Sequence, residues 1–104
     1  MKRYGQHATL KPDKVDEYVK LHSAVWPEVL KVISECHQKN YSIYIEGNEC
    51  FCYFEYDGDD FEADIEKMNK SDIMQEWWKL TKPCFMHHDK EVYYTDWEEI
   101  FHLN

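Results

Sequence analysis

The sequence predicts an α+β fold. A strand-like first segment is followed by two helical segments, by two aromatic, β-prone runs joined by a short turn, and by two further helical segments before a last extended one. This is the element order of a ferredoxin-like βαββαβ unit, whose sheet carries helices on one face. We expect a second copy of the chain to cover the other face, in a homodimer of the α/β-barrel type.

Length and composition limit the classes of partner. The 104 residues suit a single domain spanning 1–104, and 43% hydrophobic residues are enough to close one core. A formal charge of −9 argues against nucleic acid and against anionic membrane surfaces, which attract clustered Lys and Arg. No apolar run approaches the roughly 20 residues of a membrane span, and the N-terminus lacks the apolar core of a secretion signal. We therefore expect a cytoplasmic protein.

The four cysteines are expected to be reduced, buried thiols. Their spacing, at Cys36, Cys50, Cys52 and Cys84, fits no paired Cys-x-x-Cys zinc pattern. Cys50 and Cys52 lie two apart in a strand-like run and would point the same way, so a metal site completed by one of the six histidines is an alternative.

The first 38 residues combine a strand with two helical segments. Residues 3–10 are the predicted first strand, and Pro12 suits the first turn of a helix. Apolar and ring residues then recur at offsets of three, four and seven up to His22. Pro27 breaks or restarts the helix, and a second apolar face follows it, so we expect the helical region to end near Gln38.

A β-hairpin is predicted for residues 41–56. The runs on either side of Gly47-Asn48 are rich in aromatic and β-branched residues, and this pair is typical of a tight turn. By period-two alternation, Tyr41, Ile43 and Ile45 share one face and Ser42, Tyr44 and Glu46 share the other, and one of these two faces should meet the helices.

Two more helices and an extended tail complete the chain. An aspartate of the acidic turn 57–60 can cap the first of these helices, and Ser71 can cap the second, which Pro83 ends. Residues 92–95 and 97–103 are β-prone or apolar, and predict a last strand or a docked tail.

Three ring side chains at helical spacing are the main functional signal. Tyr18, His22 and Trp26 are four residues apart, so they share one helix face, and a phenol and an imidazole there could act on one small ligand. The alternative is that His22 is a hydrogen-bonded structural histidine, which is the commoner role of a lone histidine on an apolar face.

The Trp77-Trp78 pair has two interpretations. Tryptophans are common core anchors, but a ring face also packs well against the C–H face of a pyranose. Together with Tyr18, His22 and the strand residue Tyr41, the pair can line a partly apolar pocket with few polar groups, which suits a neutral polyol.

Several short motifs together resemble one known family, the L-rhamnose mutarotases. The motifs are Glu17-Tyr18, Leu21-His22, Val25-Trp26-Pro27-Glu28, Asn40-Tyr41-Ser42-Ile43-Tyr44, Trp77-Trp78-Lys79 and Glu99-Ile100-Phe101-His102-Leu103. The resemblance implies a dimeric ferredoxin-like fold and cofactor-free epimerisation at the anomeric carbon of a sugar. It further implies that His22 is the general acid and that Tyr18, Tyr41, Trp77 and Trp78 contact the sugar.

The implied chemistry suits these residue types. Exchange of α and β pyranoses needs one proton delivered to the ring oxygen and one removed from the anomeric hydroxyl. An imidazole with an ordinary pKa of ~6.5 can serve in either direction, and such positioned transfer contributes about 10²- to 10⁴-fold in rate. Tyrosines, with pKa values of ~10, are better suited to orient hydroxyls. The second proton-transfer group stays open at this stage.

Three other functions are compatible with these residues. The first is an L-fucose mutarotase of the same family, because L-fucose is also a 6-deoxy-hexose. The second is a dimeric ferredoxin-like haem-degrading monooxygenase, in which a helix histidine would bind haem. The third is a sugar-binding module without catalytic activity.

Overall fold

A computed structural model describes all of residues 1–104, and a four-stranded antiparallel sheet is its central element. The strands are β1 (Lys2–Thr9), β2 (Gln38–Glu46), β3 (Glu49–Tyr56) and β4 (Thr95–Trp97), in the spatial order β2-β3-β1-β4. The helices are α1 (Val15–His22) and α2 (Pro27–Glu35) before β2, and α3 (Phe61–Asn69) and α4 (Asp72–Thr81) before β4. The predicted βαββαβ fold is therefore confirmed.

The core lies between the sheet and the helices. Along β3, alternate residues from Cys50 to Tyr56 are buried, so this strand turns one face to the helices. One core cluster joins the sheet to α1 and includes Ala8, Leu10 and Tyr18. A second cluster lies among the helices and consists of Val29, Cys36, Met68, Met74 and Trp77. We call the opposite surface of the sheet the open face.

The hairpin turn has the predicted position. Glu46 pairs with Glu49, which leaves Gly47 and Asn48 as a two-residue loop. Gly47 has φ +60°, a conformation that glycine adopts at little cost, and this suits a type II′ turn. The Asn48 side chain donates to the Leu10 carbonyl at 2.9 Å, so the turn is tied to the end of β1.

The predicted helix caps are also present. The Asp60 carboxylate accepts a hydrogen bond from the Ala63 amide at 3.1 Å at the start of α3. The Ser71 hydroxyl accepts one from the Met74 amide at 3.4 Å at the start of α4. Each side chain satisfies an amide that would otherwise lack a partner within the helix.

The helical region ends earlier than the sequence predicted. Helix α2 ends at Glu35, and His37 adopts a left-handed conformation with φ +66° that turns the chain back towards the sheet. Gln38 already pairs with Tyr56, so β2 begins three residues before the aromatic run. The boundary near Gln38 was wrong because residues 38–40 are polar and carry no strand-like alternation.

The expected last strand or docked tail is only partly present. Strand β4 has three residues, and nothing in the chain covers the apolar side chains that follow it: Ile100, Phe101 and Leu103 are 90%, 78% and 80% exposed. The tail is instead attached through Glu99, whose carboxylate accepts two hydrogen bonds from the Arg3 guanidinium, at 2.8 and 3.2 Å.

Two other observations concern metal binding and membranes. No group of three or more His, Cys, Asp or Glu side chains has the geometry to hold a metal ion, so Cys50 and Cys52 do not gain the third ligand considered from the sequence. The structure contains no helix that is both long and apolar enough to cross a membrane.

Candidate active site

His22 is the last residue of α1, and its ring is held against the preceding turn. The distance from His22 Nδ1 to the Tyr18 carbonyl oxygen is 2.8 Å. Because a carbonyl only accepts, Nδ1 carries the proton and donates it, which leaves Nε2 as the unprotonated nitrogen of the neutral ring. The Tyr18 ring packs beside the imidazole with a centroid distance of 4.3 Å. The predicted Tyr18–His22 pair therefore forms.

The environment of His22 favours its neutral form. Burial lowers the pKa of His22, and the hydrogen bond to the Tyr18 carbonyl opposes this effect only in part. At neutral pH the imidazole is therefore a proton acceptor at Nε2. A group in this state can begin a reaction by removing a proton and can return that proton in a later step.

The Tyr18 hydroxyl is hydrogen-bonded to a second phenol, that of Tyr94 near the other end of the chain. Tyr18 is 4% exposed, and its hydroxyl oxygen lies 2.8 Å from that of Tyr94. Burial raises the pKa of Tyr18 and of Tyr94, so both phenols stay protonated. One of the two hydroxyls donates to the other, so one phenol proton remains to donate to a ligand, and neither phenol is an effective base at neutral pH.

Tyr41 approaches the same region from β2. Its ring stacks on Phe54 at a centroid distance of 5.3 Å and an interplanar angle of 11°. Although the residue as a whole is 40% exposed, its hydroxyl end is enclosed beside Cys52 and near Tyr18. This burial raises the pKa of Tyr41 well above its ordinary value. Tyr41 therefore adds a third protonated phenol to the site.

The two tryptophans occupy different positions. Trp77 is 5% exposed and packs edge-on against His22 at 5.5 Å and against Trp26 at 5.2 Å. Trp77 is therefore part of the buried packing against which the imidazole rests. Trp78 is half-buried, and its ring lies under the Lys82 ammonium group, 4.5 Å from the ring centroid. The structure thus brings Tyr18, Tyr41, His22 and Trp77 together, whereas Trp78 lies apart from them.

Sequence reasoning missed two features near this site. The sequence places Tyr94 only in a β-prone run. Its contact with Tyr18 was not predicted, although an aromatic residue just before a short last strand is a signal for such a contact. Gln6 lies on the helix-facing side of β1, opposite Cys52, and its amide donates to Asp96 at 2.7 Å. The neighbours Gly5 and His7 give this part of β1 no apolar pattern, so the sequence contains no signal that singles out this contact.

The cysteines near the site are unreactive thiols. Burial raises the pKa of Cys50 and of Cys52 to about 11 each, so neither is a thiolate at neutral pH. Cys84 has a pKa raised to about 11 for the same reason. Among the titratable side chains gathered here, the His22 imidazole is therefore the one whose neutral form is suited to accept a proton at neutral pH, and protonated phenols and aromatic rings surround it.

Comparisons with known proteins identify relatives of the whole chain. A family model described as L-rhamnose mutarotase matches residues 3–103. The chain is 37% identical to an L-rhamnose mutarotase from Oceanobacillus iheyensis and 33% identical to one from Lactiplantibacillus plantarum, each over the full length of both proteins. A crystal structure of L-rhamnose mutarotase from Formosa agariphila superposes with a TM-score of 0.81 over all of both chains at 20% identity, which supports the fold.

Proposed function

The chain belongs to the L-rhamnose mutarotase family, and from this premise we propose that it interconverts the α and β anomers of L-rhamnose. It is thus an isomerase that acts on sugar anomers. The observation that carries the site assignment is the His22 ring, with Nδ1 bonded to the Tyr18 carbonyl and Nε2 left to accept a proton. The family assignment favours this function over haem degradation and over sugar binding without catalysis.

The proposed mechanism uses His22 as base and acid in turn. Nε2 removes the proton from the C1 hydroxyl while the bond between C1 and the ring oxygen breaks, and the open-chain aldehyde forms. Both oxygens are bonded to C1 in the pyranose and are therefore close together, so the same imidazolium can deliver that proton to the former ring oxygen as it leaves C1. Rotation about C1–C2 then presents the other face of the aldehyde, and the reverse steps close the ring. The general-acid role predicted for His22 corresponds to the delivery of the proton to the ring oxygen.

The remaining site residues are proposed to bind the sugar. The protonated phenols of Tyr18 and Tyr41 donate hydrogen bonds to hydroxyls or to the ring oxygen as charge develops on it. Trp77 and Trp78 supply apolar surface for the C–H groups and the C6 methyl. The greater exposure of Trp78 leaves its ring more accessible to a ligand than that of Trp77.

The test measures the rate of α–β anomer exchange by NMR saturation transfer, in the presence of a chelator. It is made separately for L-rhamnose, for L-fucose and for a hexose with a 6-hydroxyl group. We expect faster exchange of L-rhamnose than of L-fucose, because a buried hydroxyl left unpaired by the wrong configuration costs about 1–3 kcal/mol. Discrimination against the 6-hydroxyl sugar should be weaker, around a hundredfold at most. Loss of activity on chelation, or no acceleration of any sugar, would contradict the proposal.

We also propose that the chain forms a homodimer through the open face of the sheet. That face presents Tyr44 and Trp97, which are 64% and 56% exposed, beside the apolar tail residues Ile100 and Phe101. A sheet surface of this kind needs a cover to avoid aggregation. Light scattering at micromolar concentration should give twice the chain mass, and a monomer mass would contradict this proposal.

The proposed compartment is the cytoplasm. All four cysteines are free and buried, which is the state expected of thiols in a reducing compartment. Fractionation of the host cells should recover the protein with cytoplasmic markers, and recovery from the culture medium would contradict this assignment.

A further inference from the structure

A glutamine lies on the helix-facing side of an inner strand of the sheet. Gln6 belongs to β1, which has β3 on one side and β4 on the other, and it pairs with Cys52 and with Asp96. Cys52 is fully buried, whereas Gln6 on the same face is only half-buried. The helical layer therefore covers the sheet incompletely at Gln6, and a small ligand can reach its side chain.

The Gln6 amide and the Asp96 carboxylate form a hydrogen-bonded pair on this face. Gln6 Nε2 donates to Asp96 Oδ1 at 2.7 Å. A side-chain amide has one acceptor oxygen and two N–H donors, and a carboxylate has two acceptor oxygens. The bond between them uses one donor and one acceptor. Gln6 Oε1 and Asp96 Oδ2 therefore both remain to accept hydrogen bonds from a ligand.

This pair lies beside the phenols of the candidate active site. Tyr94, two residues before the aspartate, has its hydroxyl oxygen 2.8 Å from that of Tyr18. Cys52, which pairs with Gln6, lies beside the Tyr41 hydroxyl. The amide and the carboxylate are therefore next to the two phenols that are proposed to bind the sugar.

The phenols and the pair have complementary hydrogen-bonding roles. Burial raises the pKa values of Tyr18, Tyr41 and Tyr94, so the phenol protons that are not used between Tyr18 and Tyr94 are donors to a ligand. Each sugar hydroxyl also carries a proton of its own, which needs an acceptor when the hydroxyl is buried. Gln6 and Asp96 supply two acceptors, and the bond between them fixes their relative position, which suits two hydroxyls on adjacent ring carbons.

We propose that Gln6 and Asp96 form a binding subsite for two adjacent hydroxyls of the pyranose, in which each residue accepts a hydrogen bond from one hydroxyl. The inference rests on the proposed function, because it concerns the binding of the sugar in that same site. L-Rhamnose and L-fucose have opposite configurations at C2 and at C4 and the same configuration at C3. Any adjacent pair among these three hydroxyls includes an inverted one, so the subsite distinguishes the two sugars.

The test measures kcat/KM for the anomer exchange of both sugars with wild type and with Asp96→Asn. Asparagine keeps an oxygen that accepts from Gln6 but loses the second acceptor of the carboxylate. We expect the preferred sugar to lose at least about tenfold and the other sugar less than about threefold, so that the preference narrows.

The matched control is Asp16→Asn, which removes the same charge from an exposed position of α1. It should leave kcat/KM within about twofold of wild type for both sugars. Equal losses for both sugars in Asp96→Asn, or values within twofold of wild type, would overturn the proposal.

A double mutant tests whether the two residues act as one subsite. Gln6→Leu removes the amide and should also narrow the preference between the sugars. Because each residue holds the other, Gln6→Leu combined with Asp96→Asn should lose less than about threefold beyond the more damaging single variant. A loss equal to the product of the two single losses would overturn the proposal. Circular dichroism verifies folding, and Gln6→Ala replaces Gln6→Leu if the leucine variant does not fold.

Binding of a sugar that cannot exchange distinguishes failure of this inference from failure of the proposed function. 1,5-Anhydro-L-rhamnitol lacks the anomeric hydroxyl but keeps the other ring hydroxyls, so it can bind without reacting. NMR titration should give a Kd at least about tenfold higher for Asp96→Asn than for wild type. An equal Kd would overturn the subsite. Weaker binding to Asp96→Asn, together with no acceleration of exchange by wild type, would contradict the proposed function alone.

Discussion

His22 shows how two local effects set the state of one residue. The carbonyl of Tyr18 holds Nδ1–H and so selects the tautomer, while burial lowers the pKa of the ring. Both effects leave Nε2 free to accept a proton. The sequence predicted the residue and its neighbour from helical spacing, but the tautomer depends on the rotamer that the ring adopts after α1 has formed.

The lowered pKa predicts a particular pH dependence. In the proposed mechanism the neutral imidazole is the active form, so kcat/KM should reach its maximum above the pKa of His22 and should fall as the pH drops through it. Because burial lowers this pKa, the midpoint of the acid limb should lie below the ordinary value of ~6.5. Anomer exchange measured between pH 4.5 and 8 tests this. Exchange that becomes faster towards acid pH would mean that the imidazolium begins the reaction.

The hydrogen bond between Tyr18 and Tyr94 predicts that removal of the Tyr94 hydroxyl has a larger effect than removal of the hydroxyl of its neighbour Tyr93. Tyr94→Phe leaves the buried Tyr18 hydroxyl without its partner, so the free energy of unfolding should fall by about 1–3 kcal/mol and kcat/KM severalfold. The control is Tyr93→Phe, whose hydroxyl lies 3.3 Å from His88 Nδ1. Denaturant unfolding and exchange kinetics should show a clearly smaller effect for the control, and equal effects would contradict the role given to Tyr94.

At the scale of elements, local patterns predicted more than long-range ones. The capping side chains Asp60 and Ser71, the Gly47 turn and the hairpin faces were all readable, because each depends on residues within a few positions. The irregular pairing in β2, where Asn40 and Tyr41 together lie opposite Phe54, could not be predicted, because the alternation from Tyr41 onward is regular and the extra residue appears only when β2 pairs with β3. The partner of Tyr18 was also hidden, since Tyr94 is 76 residues away in the sequence.

The cap of α4 gives a prediction about stability. Ser71→Ala removes the acceptor of the Met74 amide and should lower the free energy of unfolding by about 1 kcal/mol, with an unchanged denaturant slope. Ser34→Ala is the control, because Ser34 is exposed near the end of α2 and should change stability by less than about 0.5 kcal/mol. Urea unfolding measures both variants. An equal loss in both would mean that the cap contributes nothing specific.

The whole molecule has two surfaces of different character. Helices cover one face of the sheet and carry Tyr18, His22 and Trp77, while the open face and the C-terminal tail leave large apolar side chains exposed. The sequence predicted a need for a cover, because the predicted helices could shield only one face. It could not predict that the tail stays undocked in the single chain, since apolar content alone does not specify whether a segment packs on its own domain or on another.

The proposed dimer predicts different effects for two exposed apolar residues. Trp97→Glu places a charge on the open face and should shift the protein from dimer to monomer at micromolar concentration. Leu30→Glu is the control, because Leu30 is 53% exposed but belongs to α2 in the helical layer. Light scattering should find it still dimeric. A dimer that survives Trp97→Glu and dissociates with Leu30→Glu would place the interface on the helices.

The most direct test of the whole account is the rate of α–β exchange of L-rhamnose with wild type and with His22→Asn, measured by NMR saturation transfer at neutral pH. Asparagine can still donate to the Tyr18 carbonyl but cannot carry a proton, so folding is preserved by circular dichroism while the proton carrier is lost. The account predicts strong acceleration by wild type and a loss of about 10²- to 10⁴-fold in His22→Asn. A folded His22→Asn variant that exchanges L-rhamnose as fast as wild type would contradict it.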